Sequence, residues 1–359
     1  MQDIKILRIC FFSTLFILLW SGAIKTASAQ SNQPVLTSLQ LFTETVSVLK
    51  GGMAHATRYD KVLEGSLETD TQADGLWSGG RAKISLYHIS SGHPSSTLIG
   101  DEQGASNLDA PDETRIYEAW YQQRFPYHQA LLKTGLIDLN QTFDVTRDAG
   151  LFLNASFGVT PTLSLDTNAS IYPIPGAAIV AEASFHGYKG LAGLFQAHPL
   201  DRQHFIHHGL MQILEINHDG IKLGAWQQNG PTTSSNAGLY GIADKTLYKS
   251  GNGARLAGFI QLGASRSTIN SIPYFTGGGL VLSGFYPTRR EDVAGIGFAN
   301  AATRGPGAAA ETSIEVTYSA PITHRLILQP DFQLILHPGG LEASPRAEVF
   351  LLRAQWILF

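Results

Sequence analysis

Glu118, Trp120 and Gln122 fall at every second position, Lys133 follows in the next segment, and farther on Lys222 stands four residues before Trp226 and Arg255 six before Gln261. In extended chain, even spacing puts both members of each set on one face. The chemistry these groups offer is recognition. An indole stacks flat on a ring, while carboxylate, amide, ammonium and guanidinium groups hydrogen-bond polar substituents, the guanidinium bidentately.

Patterns for turnover are missing. The chain has no G-x-x-x-x-G-K-[ST] phosphate cradle, no G-x-S-x-G elbow and no dinucleotide fingerprint, so no cofactor is expected. His204, His207, His208 and His218 crowd together, but no H-E-x-x-H spacing accompanies them. They read as loop histidines flanking a strand, and no metal site is expected. Asn140, Asn154 and Asn168 open Asn-x-Ser/Thr triplets, which would be glycosylation acceptors in a eukaryotic secreted chain and carry no special meaning in a bacterial one. Carboxylates are numerous, yet sequence alone cannot set two of them ~5 to 10 Å apart across a substrate, as hydrolysis of a glycoside requires.

The elements that would hold the recognition groups are strands. Leu210 to Asn217 alternates, His218-Asp219-Gly220 turns, and Ile221 to Gln228 alternates again; Asp-Gly supplies the positive φ of a tight hairpin. Arg255 to Gly263, Gly279 to Tyr286, Thr312 to Ser319, Leu326 to Leu336 and Ala347 to Trp356 repeat the plan, about ten residues of alternation and then a turn cluster. Thr37 to Leu49 is ambiguous, because its β-branched alternation competes with a helix-like apolar spacing.

Compartment follows from the first residues. Lys5 and Arg8 precede an apolar run from Ile9 to Trp20, and Ala27-Ser28-Ala29 supplies a cleavage site, so residues 1–29 read as a cleavable export signal and Gln30 as the mature start. Cys10, the only cysteine, leaves with the signal, and the remainder can hold neither disulfides nor thiolate metal sites. Beyond the signal no run of 18 apolar residues exists, which excludes a helical membrane protein. Charged residues are only 15%, below the ~25% of ordinary soluble domains. Apolar residues dispersed by alternation fit an object with lipid outside and water inside. The net charge of −4 gives no basic field for nucleic acid.

These features predict an all-β fold, a transmembrane antiparallel β-barrel of the bacterial outer membrane. Residues 30–359 form one domain in this reading, and at roughly twenty residues per strand and connection they give about 16 strands. A barrel of that size leaves an aqueous channel. The terminal Phe359 closes an apolar-rich last strand, which must pair with the first. Within it Phe350, Leu352, Ala354, Trp356 and Leu358 form the apolar face, and Phe359 shares parity with Arg353 and Gln355. Either a bulge shifts the register or the terminal aromatic points elsewhere.

The order of segments resembles the carbohydrate-selective porins, the OprB family. The resemblance rests on Gly51-Gly52, Thr114 to Gln123, Leu132 to Asn140 with Phe143, Lys222 to Trp226, Gly238 to Ile242, and Leu328-Gln329-Pro330 through Pro338-Gly339-Gly340. It spans nearly all of the chain after the signal. It implies a sixteen-stranded outer-membrane barrel passing sugars by diffusion through a constricted polar pore, with no enzymatic step. The chain is shorter than a typical member, which implies trimmed loops and a constriction of altered shape.

With sugars as the implied solute, parity assigns the walls. Glu118, Trp120 and Gln122 face the lumen, with Tyr117, Ala119 and Tyr121 outside; Lys133 lies inside, where it would give Glu118 a counter-charge. Lys222, Trp226, Arg255, Gln261 and Glu315 are also lumenal, with Leu223, Ala225, Leu256, Ile260, Leu262, Ile314, Val316 and Tyr318 outside. The candidate sugar path is therefore Glu118, Trp120, Gln122, Lys133, Lys222, Trp226, Arg255 and Gln261. Trp77 and Trp356 read instead as residues of an interfacial girdle. Expected partners are carbohydrate solutes and outer-membrane lipids, with a monomer and a homotrimer both open. Two other readings stand beside the sugar pore: a porin for another small polar solute, and a barrel-embedded hydrolase of lipid or glycan.

Overall fold

Alternation becomes a continuous ladder in the computed structural model, which describes residues 35–200, 209–230, 235–251 and 253–359. The export signal and the histidines 204, 207 and 208 lie outside the described residues. The strands are β1 (Val35–Lys50), β2 (Thr57–Asp70), β3 (Gly80–Ser90), β4 (Glu113–Phe125), β5 (Ala130–Ile137) and β6 (Gly176–Phe185). They continue as β7 (Tyr188–Gln196), β8 (Leu210–His218), β9 (Ile221–Asn229), β10 (Asn236–Lys249) and β11 (Arg255–Ser265). The last five are β12 (Tyr274–Ser283), β13 (Val293–Ala302), β14 (Glu311–Thr323), β15 (Leu326–Leu336) and β16 (Ala347–Ile357). Each pairs with its chain neighbours and β16 pairs with β1, which closes a sixteen-stranded antiparallel barrel. Closure removes every open edge, the condition for backbone to cross hydrocarbon.

The ambiguous first segment is thus a strand, held by β2 on one side and β16 on the other. At the closing seam Arg353 donates to Glu44 at 2.7 Å and Gln355 to Gln40 at 2.8 Å, both across the inner face. Phe350, Leu352, Trp356 and Leu358 are exposed on the outer face, as parity requires. The Phe359 conflict dissolves because β16 ends at Ile357, so strand parity does not extend to the last residue.

One end of the barrel is sewn by tight turns. Asp219-Gly220 has φ of 49° and 74°, and His186-Gly187 has 48° and 83°, the paired positive angles that suit a two-residue hairpin. Around this end exposed Phe125, Tyr127, Phe185, Tyr188, Tyr248, Tyr286 and Trp356 mark an aromatic belt. Trp77 stands at the same end, exposed, and donates to the Tyr121 hydroxyl at 2.7 Å. His218 stacks on Tyr188, ring centroids 4.2 Å apart, and its Nδ1 lies 3.1 Å from the Gly187 carbonyl oxygen.

The other end carries the long connections. Residues 91–112 join β3 to β4, and residues 138–175 join β5 to β6 through a series of short helical turns. Both fold inward. Leu98, Ile99, Ala105 and Leu153 pack on Val46, Ile335, Val349 and Leu351 of the wall, while Phe152 and Phe157 pack on Phe259 of β11. Phe143 meets Phe195 of β7 edge-on, within a cluster that includes Ile213, Trp226 and Tyr240.

Candidate functional site

The wall from β8 to β15 is occupied by the folded-in connections, and its acidic side chains hold them by accepting backbone N–H groups. Glu315 accepts from Leu153 at 2.6 Å and Asn154 at 3.1 Å; Glu311 accepts from Glu102 and Gln103 at 2.9 Å each. Glu215 accepts from Asp144 at 3.1 Å, and Asp244 accepts from Asp148 at 2.9 Å. The bases do the same from the opposite polarity. Lys222 donates to the Val145 carbonyl at 2.6 Å, and Arg255 grips Asp148 with two 2.7 Å bonds.

Several expectations change here. Trp226 is only 2% exposed and Gln261 0%, and Gln261 donates to the Phe157 carbonyl at 3.1 Å. Both face the lumen side, as parity requires, but the 138–175 connection covers them, so they leave the sugar path. Lys222 and Arg255 stay partly exposed, and polar atoms of both are engaged in anchoring the loop.

The loop carboxyls record this burial. Burial pushes Asp144 up to about 7, helped by nearby Glu215, against hydrogen bonds from Thr160 and the charge of Lys222. Asp138 and Asp101 are each pushed up to about 6, again chiefly by burial. Asp148 moves the other way. Burial would raise it, but hydrogen bonds with Arg255, Asp244 and Arg147 outweigh that and hold it below the usual carboxylate range.

On the β2 to β5 wall charged side chains also face one another, although Asp60 accepts the Gly92 N–H at 2.9 Å and Glu118 the Asp138 N–H at 3.4 Å. Register sets Arg81 beside Gln122 and Gln122 beside Lys133, with Lys83 beside Trp120 in the adjacent row. Arg81 pairs with Glu68, and Lys83 with Glu118 at 3.0 Å. Lys133 holds its ammonium 4.1 Å from the centroid of the Trp120 ring. Gly135, opposite Trp120, has φ of 136°, and a Cβ there would lie 2.6 Å from the Trp120 Cα, so glycine lets this strand approach.

Two further corrections follow. The counter-charge of Glu118 is Lys83, a residue not singled out in the sequence, and Glu118 itself is buried to 2% exposure. Tyr117 points inward, stacked on Tyr87 at 4.1 Å and bonded to Asp138. The reason is a bulge. Ile84 opposes Ala119 and Leu86 opposes Ile116, so Tyr117 and Glu118 together face Ser85, and alternation skips one step. Beyond it Trp120 and Gln122 resume the lumenal face. Lys83 had a legible signal, since Lys83, Ser85 and Tyr87 alternate with Ile84 and Leu86.

A closed sixteen-stranded barrel, with connections folded inward and polar side chains on its inner face, is the architecture of an outer-membrane diffusion pore. The family model for the carbohydrate-selective porin, OprB family, matches residues 54–232 and 214–358. The chain belongs to that family, and it is a porin of the bacterial outer membrane through which carbohydrates diffuse. Solved structures agree on the fold. The high-pH structure of Pseudomonas putida OprB superposes with a TM-score of 0.81 at 18% identity, covering 90% of this chain and 94% of that one. The low-pH structure of the same protein gives 0.62 at 14% identity, over 92% and 100%. A mutant of the Rh. blastica porin gives 0.52 at 10% identity, over 90% and 100%. No curated protein matches the chain by sequence.

Proposed function

We propose that sugars pass along the β2 to β5 wall, in contact with Trp120, Gln122, Lys133 and Lys83, while Glu118 orients Lys83. The observation that supports this is a difference across the interior: the basic groups of β9 and β11 are bonded to the folded-in connections, whereas Lys83 pairs with Glu118 on the wall itself and Lys133 lies over Trp120. The pore works without a chemical step or energy input, as a single barrel domain left after removal of residues 1–29.

Two measurements test the path. In a planar bilayer, sugar-dependent block of single-channel current is expected; an open current that sugars never block points to a pore for other small polar solutes, and no conductance at all points to the hydrolase reading. In liposomes, Trp120→Ala and Glu118→Ala should each slow sugar uptake several-fold, about 1 kcal/mol of lost solute interaction. Uptake unchanged in both variants removes this wall from the path.

A further inference from the structure

We propose that the β3 to β5 wall carries a subsite for one carboxylate, so that the pore favours a singly charged sugar acid over a neutral sugar of the same size. This rests on the sugar path above and goes beyond it in naming the charge of the preferred solute.

Lys133 is the cation on which the subsite centres. Its side chain is nine-tenths buried, at 9% exposure, and its contact is the Trp120 ring at 4.1 Å. Among the described residues it makes no hydrogen bond and no ion pair of 4 Å or less. An ammonium carries three N–H donors, and burying them without an acceptor is costly; contact with an indole face offsets only part of that. The neighbouring cations differ. Arg81 is neutralised by Glu68, and Lys83 by Glu118 at 3.0 Å. The second Glu118 oxygen is taken by the Asp138 N–H at 3.4 Å, so Glu118 is engaged on both sides. Asp138 and Glu68 also lie near enough for their charge to reach Lys133, but Asp138 accepts from the Tyr117 hydroxyl and the Asn140 N–H and Glu68 is paired with Arg81; Glu64 stands on β2 opposite Tyr87, three strands from Lys133.

What Lys133 lacks is an acceptor, and a charged acceptor suits it best, because a charge-assisted hydrogen bond is roughly twice as strong as a neutral one. Gln122 is its register partner on β4, and its amide has no hydrogen bond among the described residues. One ammonium and one amide N–H side by side can meet the two oxygens of a single carboxylate. The flat face of Trp120 next to them bounds the place where the sugar body would lie.

The test uses the full-length pore in proteoliposomes with glucose and gluconate, a neutral sugar and its acid of nearly equal size. Acetate and chloride serve as anions without a sugar body. The wild-type pore is expected to pass gluconate faster than glucose, with acetate and chloride showing no matching gain. Lys133→Met should lower the gluconate-to-glucose ratio roughly tenfold, the loss of one hydrogen bond to a charged group. Lys133→Arg should keep most of the preference, which separates charge from a folding defect, and Gln122→Ala should lower the ratio less than Lys133→Met. A wild-type ratio at or below one, a ratio untouched by Lys133→Met, or an equal gain for acetate and chloride would overturn the assignment. Failure of both sugars to permeate would instead sink the sugar path on which it rests.

Discussion

Glu315 on β14 and Glu118 on β4 are the same residue type on the same face of one barrel, yet they serve different ends. Glu315 accepts two loop N–H groups at 2.6 and 3.1 Å and so fixes the 138–175 connection across the lumen. Glu118 neutralises Lys83 and leaves Lys133 without a carboxylate of its own. Facing inward does not decide the role of a charged residue. What decides it is how much of its hydrogen-bonding capacity loop backbone claims: two N–H groups at Glu315, and a single one at 3.4 Å at Glu118.

The strongest way to break this comparison is to remove a loop anchor. Glu315→Ala leaves the Leu153 and Asn154 N–H groups without acceptors, at about 1–3 kcal/mol each. The connection should loosen, and single-channel conductance and open-channel noise should both rise; unchanged conductance would mean that the loop is held elsewhere.

A smaller effect tests the same side of the barrel through pH. Asp144 is raised from 3.8 to about 7, so the folded-in loop favours its protonated form. The loop is then held best below pH 3.8, loses roughly 1.4 kcal/mol per pH unit as pH rises to about 7, and changes no further above that. Hydrogen exchange in residues 138–175, corrected for intrinsic rates, should be faster at pH 8 than at pH 5. Asp144→Asn should flatten the difference, and a wild-type loop equally protected at both values would contradict this.

The smallest effect is expected at Trp226, which parity places in the lumen and the loop covers. Trp226→Phe should cost about 1 kcal/mol of stability by its smaller ring. It should leave the concentration of sugar that half-blocks the pore where it was, and a shifted block would return Trp226 to the solute path.

Strand number, facing and the closing pair were legible because lipid outside and water inside impose a period of two on every strand. Leu223 and Trp226, or Ile314 and Glu315, can be sorted by position alone. Cover was not legible, because it depends on contacts such as Glu315 with Leu153 and Gln333 with Ala105, which lie far apart in sequence. The β4 bulge at Tyr117 and Glu118 was equally hidden. Neither residue is a glycine or proline, and alternation on both sides of it looks regular.

The seam between β1 and β16 has a consequence for how such a barrel is made. Arg353 and Glu44 face each other only in the observed pairing, and a slip of one residue would turn an inward charge of one strand toward hydrocarbon. An arginine facing lipid at mid-depth costs about 2–4 kcal/mol, so a misregistered cylinder would open again more readily than the native one. The first and last strands of the chain thereby proofread each other at the moment of closure.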